Sequence, residues 1–87
     1  MADASPLKFP SDFPIKVMGP RVDGFAQAIT EVVLRHAPDF DPASLELRAS
    51  SGGNYVSVTA TVRATSREQL DDLYRALTSH PMVKVVL

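Results

Sequence analysis

Residues 55–65 read YVSVTATVRAT and alternate strictly between two kinds of side chain. The apolar set consists of Val56, Val58, Ala60, Val62 and Ala64. The residues between them are polar apart from Tyr55. A period of two that includes β-branched residues is typical of a strand with one buried face and one solvated face. The segment therefore predicts a long strand in an antiparallel sheet.

The rest of the chain divides into shorter elements. Alternation of apolar and polar residues predicts further strands over residues 13–18, 45–51 and 82–87, beside the one over 55–64. Apolar residues spaced three or four apart predict helices over residues 22–37 and 66–79. Ser66 with Gln69, or Thr65 with Glu68, forms a capping box that begins the second helix.

Prolines and glycines mark the boundaries of these elements. Gly19 and Pro20 are expected to end the first strand, and Pro38 is expected to end the first helix. Residues 50–54, SSGGN, predict a hairpin turn between the second and third strands. A phosphate-binding loop is the alternative, but this segment lacks the lysine and the following helix that such a loop needs.

The order strand, helix, strand, strand, helix, strand predicts an α+β fold, the ferredoxin-like βαββαβ sandwich. In this fold a four-stranded antiparallel sheet has the first and third strands at its centre and carries both helices on one face. Residues 13–87 are expected to form this one domain, and residues 1–12 a flexible N-terminal arm.

The composition excludes several classes of function. The chain has 87 residues and no cysteine, which excludes disulfides, a thiolate nucleophile and a zinc-thiolate centre and favours a cytoplasmic setting. Its net charge of −1 lacks the basic excess of a nucleic-acid-binding module. The first residues do not resemble a signal peptide, and no apolar run is long enough to span a membrane. We therefore expect neither nucleic acid nor membrane among its partners.

Four stretches of the chain resemble a known family block by block. They read FPSDFPIKVMG, EVVLRHAPDFDP, SSGGNYVSVTATVRATSREQLDDLY and HPMVKVVL. Together they resemble the uncharacterised bacterial YbeD-like proteins. The resemblance implies a fold similar to the ACT regulatory domains, which bind small effectors such as amino acids and tend to pair. It implies no established activity and no cofactor. Genes of that family often lie beside one for lipoyl attachment, which implies an association with lipoate metabolism.

The loop between the first strand and the first helix is the first candidate site. It contains Gly19, Arg21, Asp23 and Gly24, and it faintly resembles the ACT signature, although Pro20 and Gly24 stand apart. The amides at a helix start and an arginine side chain can together hold a carboxylate or a phosphate. The alternative is that the two glycines only allow a tight turn and close packing. Catalysis in the manner of the acylphosphatases also needs an asparagine on the second strand, whereas Asn54 lies in the turn, so we predict no catalytic residues.

The open face of the sheet is the second candidate site. Strand parity places on it Lys16, Met18, Arg48, Tyr55, Arg63 and Lys84, with Thr59, Thr61 and Val86 and with Glu46 as the one acidic residue. The helices are expected to carry acidic residues on their outer sides. This polarity predicts that the face docks an acidic protein or a second copy of the chain, with Met18 and Tyr55 as apolar anchors. The alternative is an ordinary solvated face.

Neither histidine gives a strong indication of chemistry. His36 follows Arg35 near the end of the first helix, where a cation stabilises the helix dipole, and the alternative is a metal site with Asp39 and Asp41. His80 has no second ligand nearby in the sequence, so no metal site is predicted. Two classes of function remain open, a regulatory module that senses a small molecule and an interaction module without a ligand.

Overall fold

A four-stranded antiparallel sheet in the order β2-β3-β1-β4 forms the body of the molecule. The structure is a computed structural model that describes residues 8–50 and 52–87. Its elements are β1 (Ser11–Pro20), α1 (Phe25–His36), a short 3-10 helix (Pro42–Ser44), β2 (Glu46–Ala49), β3 (Tyr55–Ala64), α2 (Arg67–Thr78) and β4 (Val85–Val86). The strand order and the position of the two helices confirm the predicted ferredoxin-like fold.

The two central strands, β1 and β3, pair over their full length from Ser11 opposite Ala64 to Pro20 opposite Tyr55. One face of this pair is buried at every second residue, as the alternation in β3 predicted. The core on that face consists mainly of Ile15, Val17, Val58, Ala60 and Val62 from the strands, Phe25, Ile29 and Val33 from α1, and Leu70, Leu73 and Leu77 from α2. Neither α1 nor α2 lies on the opposite face, which is solvated in the part of the chain that the structure describes.

The start of α2 is tied to the end of α1. The amide of Gln69 donates to the Ser66 hydroxyl (3.1 Å), which confirms Ser66 as the N-cap, although the return bond of a capping box goes to the Thr65 amide and not to that of Ser66. The side-chain oxygen of Gln69 accepts from the Thr65 amide (2.6 Å), and its nitrogen donates to the carbonyl of His36 (2.7 Å). One side chain therefore satisfies groups at the termini of both helices.

β1 is longer than predicted at both ends. It begins at Ser11, inside the segment predicted as an arm, and Phe9 packs against the core. Residues 1–7 of that predicted arm lie outside the described residues. The strand can continue through Pro20, because the backbone N–H positions of even-numbered β1 residues point toward β4 and not toward β3. The hydrogen bond from the Lys16 amide to the Leu87 carbonyl (3.2 Å) shows this direction. Proline at positions 14 and 20 therefore removes no hydrogen bond to β3.

α1 begins at Phe25, three residues later than predicted. Gly24 precedes it with a φ of 89°, in the left-handed region, so the chain cannot be helical there. Val22, which was predicted in the buried stripe, is 52% exposed. β2 spans only four residues, and its predicted end at Ser51 lies outside the described residues.

The predicted faces of the last strand were wrong from Val85 onward, whereas Val83 packs against the core and Lys84 lies on the open face, as predicted. Val85 and the amide of Lys84 both meet Met18, the latter through a hydrogen bond to the Met18 carbonyl (2.8 Å). Two consecutive residues opposite one is the arrangement of a β-bulge, which shifts the alternation by one residue. Val86 therefore lies opposite Val17 and packs against the core, and Val85 and Leu87 are exposed. The bulge also explains why β4 is so short.

Candidate functional site

Gly19, the first residue of the predicted ligand loop, is a packing residue. It is buried in β1, and a Cβ atom built on it would lie 2.6 Å from the carbonyl oxygen of Met82 and closer still to the ring of Phe25. The missing side chain lets the first aromatic residue of α1 and the chain before β4 approach the strand. For Gly19, the structure shows the packing alternative and not a surface that a ligand can reach.

The loop after Gly19 is held against the β2-β3 hairpin. The amide of Arg21 donates to the carbonyl of Asn54 (3.1 Å), and the amide of Val22 donates to that of Pro20 (2.9 Å). A Cβ atom on Gly53 would lie 3.6 Å from Nη1 of Arg21. The guanidinium group therefore lies beside the hairpin turn, at the end of the loop that leads into α1.

Gly24 leaves the N-terminus of α1 without a side-chain cap. Its φ of 89° is accessible to glycine at little cost, and a Cβ atom there would meet nothing within 4 Å. Gly24 is thus required by backbone conformation and not by close packing. No side chain accepts a hydrogen bond from the first turn of the helix, which also has no acidic residue. The partial positive charge of this terminus is therefore available to a bound anion.

A groove lies between the start of α1 and the exposed edge of the sheet, and we call it the α1 groove. It has a volume of about 480 Å³ and is lined by Arg21, Val22, Asp23, Gly24, Phe25, Ala26, Leu47, Ala49 and Val56. Three of the four predicted ligand residues are brought together here, and Gly19 is not among them. The apolar wall includes Leu47, which is 57% exposed, and Val22.

Sequence reasoning missed the wall that β2 and β3 contribute. Leu47 and Ala49 occupy the apolar positions of β2, and their alternation predicted a strand without indicating that they line a groove. They lie on the helix side of the sheet, since Leu47 is opposite the buried Val58. Both are nevertheless exposed, because β2 is an edge strand that α1 does not cover. Alternating apolar residues on a strand predicted to lie at the edge of the sheet would have been the signal for this exposed apolar wall.

The open face carries most of the predicted docking residues. Pairing places Lys16 and Glu46 on either side of Thr59, Met18 and Arg48 on either side of Ser57, and Arg63 beside Asp12. A hollow of about 250 Å³ is lined by Met18, Tyr55, Lys84 and Val85. Lys84 reaches this hollow through the bulge, and Val85 replaces the predicted Val86.

The charge separation between the two sides of the molecule is weaker than predicted. Asp12 lies opposite Arg63, so Glu46 is not the one acidic residue of the open face. The helices carry the arginines Arg35, Arg67 and Arg75 as well as acidic residues. Arg75 pairs with Asp72 at 3.6 Å, both well exposed, which is a weak interaction. The open face remains basic, with four cations against two carboxylates from its strands and the bulge.

The histidines and their neighbours serve the backbone. Nδ1 of His80 accepts from the amide of Met82 (3.1 Å), and His36 lies in the last turn of α1. Asp41 accepts from the amide of Ala43 (3.0 Å) and begins the 3-10 helix. Within residues 8–50 and 52–87, no group of three or more His, Cys, Asp and Glu side chains is arranged to hold a metal ion. The alternative of a site with His36, Asp39 and Asp41 is therefore not assembled.

The helices that the structure describes are too short and too polar for any of them to cross a bilayer.

Two solved structures resemble this fold. They are the solution and the crystal structure of the ACT domain from GTP pyrophosphokinase of Chlorobium tepidum, each 20% identical to this chain. The solution structure superposes with a TM-score of 0.65 over 87% of this chain and 84% of that domain. The crystal structure gives a TM-score of 0.58 over 88% of this chain and 97% of that domain. At this identity the likeness shows the fold alone.

Relatives of much higher identity cover nearly the whole chain. A UPF0250 protein of Bordetella pertussis is 65% identical over 98% of this chain and 93% of its own length. One from Nitrosomonas europaea is 51% identical over the full length of both. Residues 4–87 match the model of the family described as "Protein of unknown function (DUF493)". The expected membership in an uncharacterised bacterial family is confirmed, and the chain belongs to the DUF493, or UPF0250, family.

Proposed function

We propose that this protein is a non-catalytic regulatory module that binds a small zwitterionic effector in the α1 groove. The observation that carries the proposal is the lining of the groove. It combines one guanidinium group, one carboxylate and the uncapped start of α1 with an exposed apolar wall. The hollow beside Met18 and Tyr55 on the open face, by contrast, is lined by no carboxylate and by no helix terminus of the described chain.

The charges favour a zwitterion over a simple anion. Arg21 and the amide of Ala26 suit a carboxylate, whereas the amide of Phe25 already donates to the carbonyl of Val22 (3.3 Å). The Asp23 carboxylate would repel a ligand carboxylate placed next to it, but it would attract an ammonium group on the same ligand. Leu47, Val22 and Val56 then offer contact to an apolar side chain. The ligand class that matches this set is an amino acid with an apolar side chain.

The fold supports the same proposal by analogy. ACT regulatory domains bind small effectors such as amino acids, and the solved structures that resemble this chain are ACT domains from a GTP pyrophosphokinase. An analogy of fold raises the expectation of effector binding without identifying the effector. The association with lipoate metabolism adds short acids related to lipoate as competing ligands to test.

A titration followed by backbone amide shifts tests the proposal. The ligands are apolar amino acids, their N-acetyl derivatives, octanoate and lipoate. We expect an amino acid to shift the amides of residues 21–26, 47–49 and 56, and its N-acetyl derivative to bind more weakly because it has lost the ammonium group. Arg21→Ala and Asp23→Asn should both weaken binding. Arg35→Ala, which changes an exposed arginine on the outer side of α1, is the matched control.

Three results would contradict it. Shifts confined to other residues would move the site, and equal binding of the amino acid and its N-acetyl derivative would refute the zwitterion. If octanoate or lipoate shifts the amides of the α1 groove and amino acids do not, the groove is a binding site but the proposed ligand class is wrong. Absence of shifts with every ligand would favour the second candidate below.

The second candidate is a ligand-free interaction module that docks an acidic protein on the open face. The hollow between Met18, Tyr55 and Val85 favours it, because an apolar pocket beside Lys84 gives a docking segment both an anchor and a charge partner. Lys16, Arg48 and Arg63 extend the basic surface along the sheet. Electrostatic attraction of this kind raises association rates more than it raises affinity.

Charge reversal separates this candidate from the first. Changing Lys16, Arg63 and Lys84 to Glu should leave the melting temperature within a few degrees and abolish salt-sensitive capture of acidic proteins. The control reverses Arg35, Arg67 and Arg75 on the helices and should leave capture unchanged. If both variants lose partners equally, or neither does, the open face is only a solvated surface.

A further inference from the structure

A second hollow lies on the open face, across β2, β3 and β1, and we call it the polar hollow. It has a volume of about 250 Å³ and is lined by Lys16, Glu46, Leu47, Arg48, Ser57 and Thr59. The side chain of Leu47 lies on the helix side of the sheet, so the side chains that face the hollow are all polar or charged. The α1 groove shares only Leu47 with it.

Strand pairing fixes the positions of these side chains. Lys16 and Glu46 lie on either side of Thr59, so their backbones are two strand spacings, or about 10 Å, apart. Arg48 lies on the same face as Glu46, two residues or about 7 Å further along β2, and beside Ser57. The two hydroxyl residues are half-buried and the three charged residues are exposed. The hydroxyl groups therefore form the floor of the hollow, and the charges form its rim.

The polar groups of the hollow do not satisfy one another. Within the described residues, no ion pair joins Glu46 to Lys16 or to Arg48. The Ser57 hydroxyl donates to the carbonyl of Arg48 at 3.5 Å, which is long for a hydrogen bond between two oxygens. Two cations, one carboxylate and two hydroxyl groups thus surround a solvent-filled space and are available to a ligand.

We propose that the polar hollow binds a sugar phosphate, with the phosphate group between Lys16 and Arg48. These two cations lie at diagonal corners of the hollow, and Ser57 and Thr59 lie between them. A phosphate group has three strong acceptor oxygens, which match an ammonium group, a guanidinium group and two hydroxyl donors. The sugar hydroxyl groups would then lie toward Glu46.

Glu46 is the reason for preferring a sugar phosphate to a bare anion. Its carboxylate repels a simple anion and, when ionised, can only accept hydrogen bonds. Hydroxyl groups next to the phosphate donate to it, whereas an ammonium group there would also be repelled by Lys16 and Arg48. The volume agrees with this choice, because about 250 Å³ corresponds to roughly eight water molecules and one phosphate group would not fill it.

A sugar phosphate can be free or part of a nucleotide, and the open face has a place for a base. Met18 lies directly opposite Ser57, so the hollow beside Met18 and Tyr55 adjoins the polar hollow. Tyr55 is 44% exposed and offers an aromatic ring on which a base can stack. The sugar phosphate is common to both sources, and the experiment distinguishes them.

Titrations followed by backbone amide shifts test this inference, which goes beyond the proposed effector function and does not depend on it. The ligands are ribose 5-phosphate, ribose, inorganic phosphate, phosphoethanolamine and adenosine monophosphate, each up to about 10 mM. We expect the pentose phosphate to shift the amides of Lys16, Ser57 and Thr59 and to bind about tenfold more tightly than ribose, phosphate or phosphoethanolamine. Binding of adenosine monophosphate with shifts at Tyr55 would identify a nucleotide, and binding of the pentose phosphate alone would identify a free sugar phosphate.

The hydroxyl and guanidinium contacts have matched controls on the same face of β3. Thr59→Val should weaken binding of the pentose phosphate about threefold to tenfold, and Arg48→Gln about tenfold or more. Thr61→Val and Arg63→Gln change residues of the same types that do not line the hollow, and they should leave binding unchanged.

Glu46→Gln separates the sugar from the phosphate. It should strengthen binding of inorganic phosphate, because it removes a repulsion, and weaken binding of the pentose phosphate, because it removes an acceptor for the sugar. The melting temperature of each variant shows that the exposed substitutions leave the fold intact.

Several results would overturn the inference. They are the absence of binding by both the pentose phosphate and the nucleotide, equal binding of inorganic phosphate or phosphoethanolamine, and a Glu46→Gln variant that strengthens both phosphates alike. Equal losses in Thr59→Val and Thr61→Val would also overturn it. Shifts confined to residues 22–26 would place the ligand in the α1 groove. Because the amino-acid titration is read at those residues, failure of either proposal leaves the other standing.

Discussion

Gly19→Ala offers the sharpest test of how β1, α1 and the approach to β4 fit together. The added methyl would lie 2.6 Å from the backbone carbonyl oxygen of Met82 and closer still to the ring of Phe25. A flexible side chain could turn away at small cost, but a backbone carbonyl and a fully buried ring cannot. The substitution therefore forces the strand away from both neighbours.

The expected magnitude follows from overpacking. Inserting a methyl group into a packed core costs about 1–3 kcal/mol, and the gain from replacing glycine within a strand offsets about 0.5–1 kcal/mol of that. The two terms leave a net loss of about 1–2 kcal/mol, which lowers the melting temperature of a domain this small by about 4–16 °C. The total free energy of unfolding of such a chain is only about 4–13 kcal/mol.

The assay is thermal and urea unfolding, followed by circular dichroism, with two glycine controls. Gly52→Ala meets only the Asn54 side chain at 3.9 Å and should change the free energy of unfolding by less than about 0.5 kcal/mol. Gly24→Ala meets nothing but has a φ of 89°, so it should cost about 1 kcal/mol from the backbone alone.

A double variant shows whether the clash is the cause. Phe25→Leu removes part of the ring that the new methyl meets, so the loss for Gly19→Ala with Phe25→Leu should be smaller than the sum of the single losses by about 0.5 kcal/mol or more. Strict additivity, or a Gly19→Ala protein that melts within about 3 °C of wild type, would refute the account of this contact.

Three further predictions concern the core, the helix junction and pH. Val58→Asp should unfold the domain, because a carboxylate at a fully buried site costs about 4 kcal/mol or more, whereas Thr61→Asp on the exposed face should not. Gln69→Ala should cost about 1–2 kcal/mol in urea unfolding by releasing Thr65 and the carbonyl of His36, and Gln69→Glu should cost less because it can still accept from Thr65. Burial raises the pKa of Tyr74, so the unfolded chain loses this proton first as the pH rises; stability should fall above about pH 10, and Tyr74→Phe should reduce that fall.

The sequence predicted the parts of the fold that depend on local patterns. β3 matches its predicted bounds because ten residues of alternation leave no second interpretation. The helix start at Phe25 was missed because Val22 is in phase with the buried stripe, and only the left-handed backbone of Gly24 breaks the helix there. The faces of β4 were missed because the bulge is formed by a hydrogen bond to Met18, distant in sequence.

The same division applies to the candidate site. Arg21, Asp23 and Gly24 are neighbours in sequence, so a loop site containing them could be predicted. Leu47 and Val56 reach the groove only through the order of strands in the sheet. Gly19 was assigned to the ligand because a glycine before a helix looks the same in sequence whether it faces a ligand or a phenylalanine ring.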